Sequence, residues 1–70
     1  MKYKAYYIVY RGNGYGPFMN DYEAGNKAVE LMSQPQNKGY NNYCLYYGYA
    51  KFESQKLLEF EMDYKKMINF

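Results

Sequence analysis

The sequence predicts an α+β fold in which a small, mostly antiparallel sheet of three strands packs against two helices, in the order β-β-α-β-α. Three observations favour this fold. Aromatic and β-branched residues are concentrated in two segments, apolar residues recur at helical spacing in two others, and glycine or proline lies between these segments. Because 70 residues suffice for only one hydrophobic core, residues 1–70 are expected to form a single domain.

The first strand is predicted over residues 3–10, which are dense in aromatic and β-branched types. Both of its faces are apolar, which is typical of a central strand. Residues 12–17 contain three glycines and a proline. We expect them to form a turn, because glycine adopts positive φ and proline lacks a ladder donor. A short second strand is expected around Phe18.

The first helix is predicted to begin at Asn20 or Asp21, either of which can cap it, and to run to about Ser33. Pro35 ends it, because the residue before a proline avoids the helical conformation. An apolar stripe at helical spacing is formed by Ala24, Ala28 and Leu31.

After a polar loop at 34–39, the third strand is predicted over residues 40–52, where aromatic residues are again dense. Gly48 within it indicates a bulge or the close approach of a neighbouring backbone. Ser54 is a good N-cap for a second helix. The residues that follow helical spacing in this last segment are Leu57, Phe60, Tyr64 and Met67.

The charge and cysteine content exclude several classes of function. Nine Lys and Arg against seven Asp and Glu give a net charge of +2, which does not by itself indicate a nucleic-acid partner. With no His and only Cys44, the chain lacks the residues for an internal disulfide, a Cys/His metal site or a Cys–His nucleophile pair. We therefore expect no enzyme activity, no cofactor and no metal, and we expect Cys44 to be reduced.

The longest apolar run, residues 5–10, is far shorter than the roughly 20 residues that a membrane span needs. The chain also begins without a cleavable hydrophobic signal. We therefore expect no membrane partner and a cytoplasmic location. Twelve tyrosines predict many rings that keep a solvated hydroxyl, which is typical of a recognition surface.

Three segments resemble, in the same order, the N-terminal hybrid-binding (viroplasmin-like) domain of eukaryotic-type ribonuclease H. Residues 6–12 are similar to the family's opening strand, which ends in a basic residue and glycine as Arg11 and Gly12 do here. Residues 16–23 resemble its turn and the Trp-containing start of its helix. Residues 49–54 are similar to its aromatic-Lys-Lys-aromatic strand, which leads into a capped helix.

This resemblance implies a free-standing, non-catalytic module that binds double-stranded RNA or an RNA–DNA hybrid. By position, Tyr22 resembles the family's Trp, and Tyr49 and Lys51 resemble its strand aromatic and one of its two lysines. Ala50 stands where the family has the other lysine. Arg11 is a fourth candidate contact.

The residues give the same surface without the resemblance. On an alternating strand, Tyr47, Tyr49 and Lys51 share one face while Phe52 lies on the other. Rings beside a cation can stack on bases while the lysine neutralises phosphate. An equal alternative is that Tyr47 and Tyr49 only pair across the sheet.

The alternative function, from a different class, is a small protein-interaction module. Such a module would be an inhibitor or adaptor, for example one encoded by a mobile element, with exposed tyrosines as interface anchors. The mild net charge of +2 favours this alternative.

Overall fold

A computed structural model, which describes residues 2–70, has one antiparallel sheet of four strands and one α-helix. Along the chain the elements are β1 (Lys2–Tyr10), β2 (Asn13–Phe18), α1 (Asp21–Met32), a short 3-10 turn (Pro35–Asn37), β3 (Asn42–Glu53) and β4 (Lys56–Asn69). The strands lie in the order β2-β1-β3-β4, and every neighbouring pair is antiparallel. The first strand is therefore central, as predicted.

The prediction of three strands and two helices is wrong, because the segment after Ser54 is the strand β4. Ser54 and Gln55 both have positive φ, 50° and 68°, which is the backbone geometry of a two-residue hairpin turn. The turn returns the chain directly against β3. In residues 58–65, apolar and charged side chains alternate, and this period of two fits a strand better than a helix.

The first turn is also shorter than predicted, because residues 13–16 belong to β2. The reversal needs only Arg11 and Gly12, which have φ values of 51° and 81°. β2 then carries an extra residue where the register passes from Ile8 opposite Tyr15 to Tyr6 opposite Phe18. A bulge on an edge strand is a position where proline is tolerated, which explains how Pro17 fits within β2.

The helix α1 begins and ends where the sequence predicts. Asn20 is the N-cap, and its side chain accepts a hydrogen bond of 2.8 Å from the backbone N–H of Glu23. The Glu23 carboxylate accepts one of 3.1 Å from the N–H of Met19. The predicted stripe is buried against the sheet and consists of Ala24, Ala28 and Leu31.

The hydrophobic core lies between α1 and the sheet. Its buried members are Ile8, Tyr10, Ala24, Ala28, Leu31 and Tyr43. The Tyr10 hydroxyl donates a hydrogen bond of 2.8 Å to the carbonyl of Tyr40. The buried side chain of Asn37 donates one of 2.8 Å to the carbonyl of Leu31. These bonds fasten the loop between α1 and β3 to the core.

The opposite face of the sheet is covered by aromatic rings instead of the predicted second helix. Tyr7 on β1 and Phe60 on β4 meet with their ring centroids 4.7 Å apart, edge to face. The small residues between and beside them, Ala5, Gly48 and Ala50, are buried. Small residues on the two central strands therefore make room for rings that shield this face.

Gly48 confirms the close approach, one of the two alternatives predicted for it, and the extra residue of the bulge lies opposite it in β4. The β3–β4 register shifts between Tyr47 and Gly48, and a Cβ added at Gly48 would overlap the backbone carbonyl of Glu61. Only glycine therefore lets β4 approach β3 this closely.

We expect Gly48→Ala to lower the free energy of unfolding by about 1–3 kcal/mol, because the added methyl must push two paired backbones apart. The measurement is urea unfolding followed by circular dichroism. The matched control is Gly25→Ala in α1, where an added Cβ meets no atom within 4 Å. That change is expected to raise stability by about 0.5–1 kcal/mol, since alanine favours helix. Equal stability of Gly48→Ala and the original chain would contradict this register.

Candidate binding surface

The helix covers only part of one face of the sheet. The 12 residues of α1 span about 18 Å at the helical rise. The 12 residues of β3 span about 40 Å as a strand. The helix packs over the end of the sheet that carries Tyr10 and Tyr43, and the other end is left to side chains of the strands.

Four tyrosines form a contiguous group on this uncovered part. Tyr6 lies in register with Tyr47, and Tyr47 with Tyr64. Their ring centroids are 4.8 Å and 5.0 Å apart. Tyr49, further along β3, has its ring 6.2 Å from that of Tyr47. We call these four rings the tyrosine row. Tyr49 and Tyr64 are 37% and 47% exposed, so the row presents ring surface to solvent.

Local features of β3 and β4 bring these rings to one side. β3 has no extra residue in its ladders, so Tyr47, Tyr49 and Lys51 alternate onto the same face, as predicted. β4 carries the extra residue Asp63, and the bulge brings Tyr64 opposite Tyr47. Without that bulge, Asp63 would occupy the position opposite Tyr47.

Three lysines lie at the open end of the tyrosine row. Lys4 is in register with Tyr49, and Lys2 with Lys51. The Nζ of Lys2 lies 3.1 Å from Oε2 of Glu61, and this hydrogen bond, together with the charge of Glu61, raises the pKa of Lys2. Within residues 2–70, Lys4 and Lys51 form no ion pair. Their charges are therefore available to a ligand.

Carboxylates share the same surface. Glu59 lies in register with Lys51, and Glu61 with Tyr49. Asp63 is close enough to Tyr47 to contribute to the raised pKa of its hydroxyl. The surface therefore combines aromatic rings with charges of both signs.

Two hydroxyls of the tyrosine row, those of Tyr6 and Tyr47, have raised pKa values. Burial raises the pKa of Tyr47, and a hydrogen bond with Tyr49 raises it further. Burial likewise raises the pKa of Tyr6, with an added contribution from the negative charge of Asp21. Both hydroxyls are therefore hydrogen-bond donors at neutral pH.

The four predicted site residues do not lie together. Tyr49 and Lys51 share the uncovered face. Tyr22 lies in the first turn of α1 and is 75% exposed. The strand β2 ends just before this turn at Phe18, which is in register with Tyr6, so this end of the helix lies near the Tyr6 end of the tyrosine row.

Arg11 lies at the opposite end of β1, about 30 Å along the strand from the level of Lys51. Its guanidinium donates hydrogen bonds of 2.7 Å to Oδ1 of Asn37 and 3.2 Å to the carbonyl of Gln36. It also lies 3.8 Å from the ring centroid of Tyr40. Arg11 therefore fixes the loop between α1 and β3 and is separate from the tyrosine row.

Sequence reasoning missed Tyr6 and Tyr64 as members of this surface. Tyr64 was expected on a helix, and the alternation in residues 58–65 is the signal that identifies its strand. Tyr6 joins the row only because β1 and β3 are neighbouring strands, and the strand order cannot be predicted from the local sequence.

Within residues 2–70, no group of three or more Cys, Asp or Glu side chains is arranged to hold a metal ion. Cys44 is a free, half-buried thiol, and a hydrogen bond with it raises the pKa of Tyr46. None of the helices in this part of the chain is long and apolar enough to cross a membrane.

Comparison with protein-family models, with curated proteins and with solved structures finds no match to this chain. The chemistry of the tyrosine row and its lysines is therefore the ground for a functional proposal.

We expect the fold to lose stability in alkali partly through Tyr47. Because its pKa is raised in the folded chain, the contribution is complete below the ordinary tyrosine pKa of about 10 and is lost as the pH rises through the folded value. Tyr47→Phe removes that contribution. The measurement is the free energy of unfolding in urea, once at neutral pH and once at a pH above about 10. The decrease between the two should be smaller for Tyr47→Phe than for the original chain. Equal losses would contradict the assignment, since lysine titration is common to both proteins.

Proposed function

We propose that this domain is a non-catalytic nucleic-acid-binding module whose contact surface is the tyrosine row together with Lys4 and Lys51. The observation that carries the proposal is the contiguity of the four rings beside two lysines that have no partner within residues 2–70. Stacking of a base on such a ring contributes about 1–3 kcal/mol and tolerates any base. Lysine adds a phosphate contact and the release of a counterion.

Ligands that contain RNA come first in this proposal. The resemblance to the hybrid-binding domain implies double-stranded RNA or an RNA–DNA hybrid, and it stays a prediction. The chain departs from that family after residues 49–54, where β4 stands in place of the capped helix. Rings on an open sheet also suit unpaired bases, so single-stranded RNA belongs among the ligands tested.

Tyr49 and Lys51 are the central contacts in this proposal, and the exposed ring of Tyr22 is a further one. Arg11 has a lesser role, because its guanidinium is already engaged by Asn37, Gln36 and Tyr40.

A protein partner is the second candidate, and one observation favours it. Glu59 and Glu61 lie among the lysines, and Glu61 already pairs with Lys2, which weakens the attraction for phosphate. Half-exposed tyrosines are also common anchors of protein interfaces.

We expect Lys51→Ala to weaken binding to all tolerated sequences alike and to reduce the slope of log affinity against log salt by about one, because it removes one phosphate contact. The measurement is fluorescence anisotropy with labelled double-stranded RNA, hybrid, double-stranded DNA and single-stranded RNA at two salt concentrations. Lys38→Ala is the matched control, since Lys38 is exposed in the loop before β3, away from the tyrosine row.

Tyr49→Ala tests the stacking contact. We expect a loss of about 1–3 kcal/mol in binding, whereas Tyr49→Phe keeps a ring and should retain most of the affinity. Circular dichroism confirms that each variant is folded. If the original chain binds none of the four nucleic acids at about 100 µM, the weak end of non-specific binding, the nucleic-acid proposal fails and a protein partner takes its place.

A further inference from the structure

The strand β4 is an unusually open edge of the sheet. It has 14 residues, and its outer side pairs with no strand within residues 2–70. Its exposed apolar side chains are Leu57, Leu58, Met62, Tyr64 and Met67. Proteins usually keep edge strands short or interrupt them with proline and bulges, because unpaired N–H and C=O groups recruit other strands. The opposite edge, β2, follows that rule with 6 residues, a bulge and Pro17. β4 also has extra residues, at Leu58 and Asp63, but it is more than twice as long and has no proline.

The charges of β4 are segregated along its length. After Lys56 at its start, the carboxylates of Glu59, Glu61 and Asp63 form an acidic segment, and Lys65 and Lys66 follow as a basic segment. Charges on an edge strand ordinarily prevent self-pairing. Here an antiparallel partner of the same sequence would bring each acidic segment towards a basic segment, so these opposite charges would attract.

We propose that β4 pairs antiparallel with β4 of a second copy of this chain, about a two-fold axis at the Asp63 bulge. Residues opposite each other in an antiparallel pair lie on the same face. Because both strands carry the same extra residue, the ladder continues on both sides when the two bulges lie opposite each other. In that register Glu61 faces Lys66 of the second copy, and Phe60 faces its Met67.

This pairing joins the two sheets into one and extends the tyrosine row. Tyr64 is the β4 member of the row and lies at the proposed two-fold axis. The two rows therefore meet at the interface and form one band of rings across both copies. The self-pairing stands on the edge and its charges, and it does not depend on what the rings bind.

The test is sedimentation equilibrium of the whole chain, without nucleic acid, supported by circular dichroism. We expect the original chain to form a dimer. Its dissociation constant should rise at least tenfold in Glu61→Lys and in Lys66→Glu, because each substitution turns both Glu61–Lys66 contacts of the dimer into contacts between like charges. An equimolar mixture of the two variants should form a heterodimer, since every Glu61–Lys66 contact then pairs opposite signs again. This rescue also proves that both variants are folded.

Lys38→Glu is the matched control, because it makes the same charge change at an exposed position away from β4, and it should dimerise as the original chain does. A monomer at the highest soluble concentration would overturn the proposal. So would a dimer that Lys66→Glu leaves intact, or variants that fail to associate when mixed. None of these results bears on nucleic-acid binding by the tyrosine row, which a monomer also carries.

Discussion

The close pairing of β4 with β3 is the constraint on which the rest of the structure depends. It starts from the turn at Ser54 and Gln55 and requires Gly48, where any side chain would meet the backbone of β4. On one face of the sheet this pairing brings Phe60 against Tyr7 and shields the small residues beneath. On the other it brings a tyrosine of β4 into line with rings of β1 and β3. The β3–β4 pairing therefore shields one face of the sheet without a second helix and completes the candidate binding surface on the other face.

The sequence predicts the elements whose signals are local. α1 has a capping Asn20 and an apolar stripe, and both act within the segment itself. β1 and β3 are long aromatic runs that suit strands. β4 is different, because its residues carry a helical spacing and an alternation at the same time. Ser54 and Gln55 lack the Asn-Gly or Asp-Gly signature of a hairpin turn, so the alternation is the only local signal for a strand, and the pairing with β3 stabilises the strand over the helix.

The candidate surface divides in the same way. Tyr49 and Lys51 are predictable because alternation along an unbulged strand needs no knowledge of its neighbours. Tyr6 and Tyr64 require the strand order and the bulge at Asp63, both of which come from long-range pairing. In the sequence, Arg11 next to Gly12 looks available for a ligand. In the fold its guanidinium is hydrogen-bonded to the loop before β3. The sequence thus shows which side chains are cationic, and the fold determines whether each is free to contact a ligand.

The character of the sheet changes with distance from the helix. Under α1 the facing residues are buried, as Ile8 and Tyr43 are. Beyond it they are tyrosines that become increasingly exposed, and at the far end they are charged. Solubility alone would favour such a gradient, because a side chain beyond the helix must tolerate water. Solubility does not require the tyrosines to be neighbours on three strands with rings about 5 Å apart, within the range of favourable aromatic pairing. Contiguity distinguishes the tyrosine row from scattered exposed tyrosines, since successive bases or the clustered side chains of a partner can contact adjacent rings. The tyrosine row has this contiguity, and Lys4 and Lys51 beside it form no ion pair within residues 2–70, which is why it is the candidate binding surface.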